Sequence, residues 1–460
     1  MMRLGYVIGV AALSVQMGGC ALVRPSEPWL PPIERLPSAP GGSGPQSVPS
    51  PAPAPAPVKR TDSPSANARK PAQAPKPLPV PPAKPDVSSP TNSRSGTSTP
   101  ERAQPDTGTV VMGLLPGRVA DRTGWAADLA ATFDALRLPP TVENLCAVVA
   151  VIGQESSFQA DPVVPGLARM AWREIEKRRE KLGIPRALLD PALALRSPDG
   201  RTYKARLDVV RTEGELSRIF EDFVTMVPMG ERLLGRYNPV RTGGPMQVSV
   251  AFAEDYVQSR PYPFPHDGGV RSEVFSRRGG LYFGVAHLLN YLAPYDRPLY
   301  RFADFNAGRF ASRNVAFQGA VAKLSGRRLT QDGDLLRYDG DEPTQEASET
   351  QKAVLALGPR LRMSADEILR DLKRGKTEGF ERTMLYWRVF GLGDQMAGQR
   401  LTRAELPDIK LSGPKIQRDY LSTAWFAKRV ERRYRDCLAQ GAQVLTAAGH
   451  GSGVQIATRR

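Results

Sequence analysis

Gln154-Glu155-Ser156-Ser157-Phe158 closes an apolar run that begins at Val142, and the reading of that stretch governs the rest of the chain. Thr141, behind Pro139-Pro140, stands where a helix cap belongs. Leu145, Val148, Val149 and Ile152 then recur at helical spacing. Glu155 lies three residues past Ile152, so its side chain falls on the same apolar stripe. A carboxyl there is withdrawn from water, which favours its neutral form near pH 7. The last turn of a helix also carries the negative end of its dipole, a poor place for an anion. A glutamate held against both effects suits a general acid that protonates a leaving oxygen. A glutamate turned out to solvent is the alternative that its position alone leaves open.

Two later turns bear on the choice. Gly243-Gly244-Pro245-Met246-Gln247-Val248 follows about 90 residues downstream, and Asp304-Phe305-Asn306-Ala307-Gly308 about 60 beyond that. Each joins a side-chain amide to a glycine that permits close backbone approach. Amides beside aromatic faces such as Phe302 and Phe305 suit sugars, and one amide can meet an acetamido group through two hydrogen bonds.

In order and type, these motifs resemble those of the soluble lytic transglycosylases, a family with a goose-type-lysozyme-like fold. That family carries Glu-Ser before an aromatic, then Gly-Leu-Met-Gln, then a helix of Gly-x-x-x-Leu type, then Ala-Tyr-Asn-Ala-Gly. The helix is matched by Gly280-Leu281-Tyr282-Phe283-Gly284-Val285-Ala286-His287-Leu288-Leu289. The resemblance covers roughly residues 141–325. It implies that Glu155 is the single catalytic acid and base, with Ser156 steadying it. Gly244, Met246, Gln247, Tyr282, Phe305 and Asn306 would line the substrate groove. The implied substrate is the peptidoglycan glycan strand, cut between N-acetylmuramic acid and N-acetylglucosamine without metal or cofactor. Several departures stand out. Pro245 replaces Leu, and Asp304 replaces the first Ala. Phe305 replaces a Tyr whose hydroxyl lies near the acid, leaving Tyr282 as a candidate to supply it. The gap between Glu155 and the Gly-Pro-Met-Gln turn is far wider than in the family. The whole chain also resembles a family of proteobacterial lipoproteins of unassigned function.

Three other readings stay open. If Asp304 or Asp161 positions a water, the same groove hydrolyses the bond as a muramidase. If the missing hydroxyl disables the acid, the protein is a non-catalytic peptidoglycan-binding scaffold. If the long insertion and the C-terminal helices bind a partner, it is a lipoprotein adaptor.

Outward from the motifs, the pattern is helical nearly throughout, so the fold expected is mainly α: a lysozyme-like domain with a helical insertion and a helical C-terminal extension. Trp125, Leu129, Phe133 and Leu136 mark one helix, and Leu167 to Leu182, stopped by Gly183 and Pro185, another. Leu216, Ile219, Phe220, Phe223 and Val224 mark a third. Ser364-Ala365-Asp366-Glu367 reads as a capping box, and Trp425 to Leu438 as a final amphipathic helix. A short hairpin is expected around Thr202 to Val209. These readings divide the chain into a lysozyme-like domain at 109–330 with an insertion at about 165–235, an extension at 331–445 and a basic tail at 446–460.

The N-terminus reads as an export signal over residues 1–19. Arg3 precedes an apolar stretch, and Met17-Gly18-Gly19-Cys20 resembles a lipoprotein processing site with Cys20 as the lipidated residue. Ala21-Leu22 rather than Asp after the cysteine implies the outer membrane, facing the periplasm of a Gram-negative cell. From 20 to 108 the chain is a proline-rich linker, with Pro51-Ala52-Pro53-Ala54-Pro55-Ala56-Pro57 at its centre. Such a segment favours polyproline II at about 3.1 Å per residue, a reach on the order of 250 Å.

The formal net charge is +16. An exported basic protein meets anionic envelope polymers or a membrane rather than nucleic acid. Three Cys and three His, widely scattered, argue against a structural zinc site. With Cys20 lipidated, Cys146 and Cys437 remain, either paired in an oxidising compartment or buried as separate thiols.

Overall fold

The structure, a computed structural model, describes residues 106–449 apart from 182, 227–237, 267, 340–341 and 412–420. The export segment, Cys20, nearly all of the proline-rich linker and most of the basic tail lie outside the described residues.

The protein is mainly helical. Helices α1 (Thr107–Leu114), α2 (Arg122–Ala135) and α3 (Val142–Glu155) come first. The next stretch holds α4 (Leu167–Lys181), α5 (Arg186–Leu193), α6 (Tyr203–Val209) and α7 (Glu213–Met226). A two-residue hairpin pairs β1 (Thr242–Gly243) antiparallel with β2 (Val248–Ser249). It leads into α8 (Val250–Ser259), α9 (Val270–Val274), α10 (Arg277–Leu289) and α11 (Pro298–Ala307). Helix α12 (Ala311–Ser325) follows, then a second small hairpin of β3 (Tyr338–Asp339) and β4 (Glu342–Pro343). Helices α13 (Glu349–Ala356), α14 (Gly358–Leu361), α15 (Ala365–Leu372) and α16 (Met384–Ala397) lead to the long α17 (Thr423–Gly449).

Three apolar clusters hold these elements. The first gathers α1, α2, α3, α8, α10, α11 and α17 around Ile152, Met246, Tyr282, Phe305 and Phe426. The second joins α12, α13, α15 and α16 around Phe317, Ile368, Phe380 and Phe390. The third, smaller cluster joins α4, α6 and α7 around Leu167, Tyr203, Leu207 and Ile219.

Local chemistry sets the helix ends. Thr141 Oγ1 accepts from Asn144 N at 3.2 Å and starts α3. Ser364 and Glu367 cap α15 reciprocally. The expected hairpin around Thr202 to Val209 is helix α6 instead. Thr202 Oγ1 accepts from Ala205 N at 3.1 Å and caps it. The alternating sequence suggested a strand, but burial follows the helical period: Tyr203 and Leu207, four apart, are buried while Val209 is 59% exposed.

Helix α17 is the backing on which the first cluster is assembled. It runs antiparallel to α3. Arg429 and Arg433 meet Gln154, Cys437 is bonded to Cys146, and Gly441 lies so close to Val142 that a methyl group there would crowd it. The cysteines are therefore paired, across 291 residues of sequence. On another side α17 meets α11, where Phe302 and Tyr434 pack edge to face with ring centroids 5.6 Å apart.

Candidate functional site

Glu155 is the last residue of α3 and is 3% exposed. Ser156 is also buried, and its hydroxyl donates back to Ile152 O at 3.2 Å, so it anchors the end of the helix. The chain then takes two left-handed residues in succession, Ser157 (φ 51°) and Phe158 (φ 64°). Non-glycine residues are strained in that region, and such strain persists where surroundings impose it. Phe158 is held edge-on against Trp125, centroids 5.6 Å apart.

The Gly-Pro-Met-Gln turn lies flat on α10, and glycines on both surfaces permit this. Gly244 has φ 75°, and a methyl group on it would strike the Val274 carbonyl oxygen. Gly280 and Gly284 are four apart on one face of α10, and methyl groups there would strike Pro245 and Met246. Met246 is thereby fully buried. Gln247 is again left-handed (φ 49°). Its Nε2 donates to Gly244 O at 3.2 Å, while Oε1 is buried with no hydrogen-bond partner among the described residues.

Asn306, near the end of α11, shows the complementary arrangement. Its Oδ1 accepts from Thr423 Oγ1 at 2.9 Å, and Nδ2 is buried with no partner among the described residues. The helix stops at Gly308, whose φ of 105° favours glycine. Thr423 and Arg429 are six residues apart on α17, about 9 Å at the rise of an α-helix. Asn306 therefore lies about 9 Å along α17 from the residue that meets Gln154, beside Glu155. Met246, Tyr282 and Phe305 share the first apolar cluster with Ile152 of the glutamate's own helix.

The aromatic candidates are packed. Phe305 lies edge-on to His287, centroids 5.2 Å apart, and His287 also meets Phe252 at 4.7 Å. Burial, assisted by the Arg309 charge, holds His287 down at about 3, so it is neutral near pH 7. Tyr282 sits among Tyr256, Tyr262, Phe264 and Phe283. Burial and the neighbouring Tyr256 push its hydroxyl up to about 12, and that hydroxyl hydrogen-bonds Tyr256.

Asp304 is wholly buried and saturated with donors. Oδ2 accepts from Tyr295 Oη at 2.7 Å, Tyr291 Oη at 3.3 Å and Phe310 N at 2.8 Å, and Oδ1 accepts from Ser312 N at 2.7 Å. It ties the end of α11 to the start of α12. Asp161 accepts from Thr212 Oγ1 at 2.6 Å and Gly214 N at 3.2 Å, which fastens the loop after α3 to the start of α7. Both aspartates are occupied in holding elements together.

Sequence reasoning passed over Thr423, Arg429 and Arg433. Arg429 Nε and Arg433 Nε both donate to Gln154 Oε1, at 2.9 and 3.3 Å. The available signal was two arginines four apart on the helix that carries Cys437. Among the described residues, no group of three or more His, Cys, Asp or Glu is arranged to hold a metal.

The chain is 54% identical over 335 residues to a protein of Escherichia coli (strain K12) named "Uncharacterized protein YaiW", covering 73% of this chain and 90% of that one. No solved structure matches it. The model of DUF1615, described as a protein family of unknown function, matches residues 118–440. By both measures the chain belongs to the DUF1615 family.

Proposed function

We propose that this protein is a peptidoglycan-cleaving lipoprotein, a lytic transglycosylase whose single acid and base is Glu155. The observation that carries the reading is the pair of orphaned amide atoms, Gln247 Oε1 and Asn306 Nδ2. A buried polar atom without a partner costs about 1–3 kcal/mol. Among the described residues, other buried atoms such as Thr132 Oγ1 and Tyr203 Oη share that state, and what favours a ligand here is that these two fall in the two amide-bearing turns. One is an acceptor and the other a donor, the complement of an acetamido N–H and C=O. Three of the left-handed non-glycine residues fall inside the motifs: Ser157 and Phe158 just after Glu155, and Gln247 in the Gly-Pro-Met-Gln turn.

In the reaction proposed, Glu155 gives its proton to the oxygen linking N-acetylmuramic acid to N-acetylglucosamine, and the C–O bond breaks. The substrate's acetamido group or nearby dipoles stabilise the oxocarbenium character that develops. The Glu155 carboxylate then takes the proton of the muramyl 6-hydroxyl as that oxygen closes on C1, giving a 1,6-anhydro end. The proton balance closes on one residue, and no second carboxylate is needed. On this reading the first apolar cluster is a lysozyme-like core and Cys20 carries the outer-membrane anchor. The Cys146–Cys437 bridge supports an oxidising compartment such as the periplasm.

Mass spectrometry of muropeptides released from purified sacculi tests this. Wild type yields anhydro-muramyl ends, and Glu155→Gln lowers their release by roughly 10²–10⁴-fold, the usual contribution of a general acid–base group. Reducing-end products without anhydro ends assign a hydrolase, and no release by wild type removes the enzymatic reading. A second reading, glycan binding without cleavage, is favoured by Phe305, which is packed on His287 and brings no hydroxyl to the acid.

A further inference from the structure

The α17 face that meets the end of α3 carries more positive charge than the described residues balance. Arg429 and Arg433 both direct Nε–H at one neutral oxygen, Gln154 Oε1. Arg429 also lies over the Trp425 ring, 5.2 Å from its centroid. The Arg433 guanidinium lies close to Gly153, and a methyl group there would meet it at 3.8 Å. Burial lowers the pKa of Arg433, as do the like charges of Arg429 and the exposed Arg118, while Asp436 acts in the opposite direction. Among the described residues, none of these three arginines has a carboxylate partner within ion-pair distance. Other partly buried arginines do: Arg277 lies on Asp121 and Asp128, Arg206 on Asp222, and Arg403 on Asp394.

Two half-buried guanidinium groups sharing one amide oxygen repel each other, and desolvation adds to the cost. The negative end of the α3 dipole, about half an elementary charge, offsets only part of this. With Nε given to Gln154, each guanidinium keeps an outer edge of N–H donors, a geometry that suits a carboxylate. The position is informative too, because Gln154 is the residue next to Glu155.

We infer that Arg429 and Arg433, assisted by Arg118, form a subsite for a carboxylate-bearing ligand beside Glu155. Resting on the function proposed above, that ligand is the stem peptide carried by the muramyl residue of the glycan, held by one of its carboxylates. The arginines act by binding and orienting. They take no part in proton transfer.

The test uses the full-length protein and two separate probes measured by calorimetry: the free stem tetrapeptide, which has carboxylates and no sugar, and glycan strands stripped of peptide. Wild type binds the tetrapeptide, and the affinity falls as salt rises. Arg429→Gln with Arg433→Gln weakens tetrapeptide binding at least tenfold and leaves stripped glycan unaffected. Arg429→Lys with Arg433→Lys, which keeps charge and loses the planar fork, gives an intermediate value. An unchanged circular dichroism spectrum and melting temperature in the lysine variant guard against a folding artefact. If wild type fails to bind the tetrapeptide, or the glutamine variant binds it equally, the inference is overturned. If the tetrapeptide follows the arginines while stripped glycan does not bind, the subsite stands and the glycan-cleavage reading falls.

Discussion

Two buried polar regions lie in sequence-adjacent parts of this chain and are built on opposite principles. Around Asp304 and Arg313 the polar groups are paired. Arg313, fully buried, donates to Asn314 Oδ1, Gly375 O and Thr377 O, and Asn314 Nδ2 donates to Gly333 O and Gly375 O. Two residues past Asp304, Asn306 keeps a donor without a partner among the described residues, as Gln247 keeps such an acceptor. A saturated network fixes one arrangement of backbone, whereas an incomplete one persists at an energetic cost unless something else completes it. Neighbouring residues of one motif thus differ: Asp304 holds helices, while Asn306, on the function proposed, is left to recognise.

That contrast can be broken from the saturated side first. Arg313→Met removes one member of a buried charged network and leaves Asn314, the Gly375 carbonyl and Glu381, whose Oε1 lies 3.5 Å from Arg313 Nη1, short of partners. The expected loss is about 3–5 kcal/mol, read as a lower urea midpoint. An unchanged midpoint would mean the network is not structural. The incomplete side should respond differently. Asn306→Ala or Gln247→Ala removes a group already lacking one bond and strands a single partner, so stability falls by about 1–3 kcal/mol, less than for Arg313→Met. Affinity for glycan strands should fall roughly tenfold, by the 1.4 kcal/mol equivalence of a single hydrogen bond and a decade in binding. A stability loss as large as that of Arg313→Met would erase the distinction.

A pH-dependent effect sharpens the boundary between the two regions. His287 binds its proton in the folded protein only near pH 3, but near 6.5 once unfolded. Between those values the unfolded chain takes up more protons, so stability falls as pH drops below about 6.5. At pH 7 and above the contribution is fully present. His287→Phe keeps an aromatic against Phe252 and Phe305 while removing the titration. Its melting temperature should fall less steeply than wild type between pH 6.5 and 4, and parallel curves would show that other groups set the slope.

Much of the site was legible because its signals are local. Thr141 as a cap, Glu155 on a buried stripe and Gly244 at a tight turn follow from neighbouring residues. The Thr202–Val209 segment was misread because its alternation of apolar and polar residues satisfies period two. Only the placement of α4 and α7 against it selects Tyr203 and Leu207 as the buried pair. Asp304 was weighed as a water-positioning group because its partners, Tyr291, Tyr295, Phe310 and Ser312, cannot be assigned from type and spacing alone. Arg429 and Arg433 were passed over because their partner, Gln154, lies 275 and 279 residues away.

The pairing of α3 with α17 also sets an order of events. A chain made from its N-terminus has Glu155 and every motif around it long before Thr423 appears. Yet Cys146 waits for Cys437, Asn306 for Thr423 and Gln154 for Arg429. The first core is therefore closed by α17, and folding of that core waits until α17 has been made. A nascent or truncated product that stops short of α17 would hold its acid in an unfinished setting. The fold thus carries a built-in delay: the machinery proposed to cut the wall is assembled only once α17 is available to it.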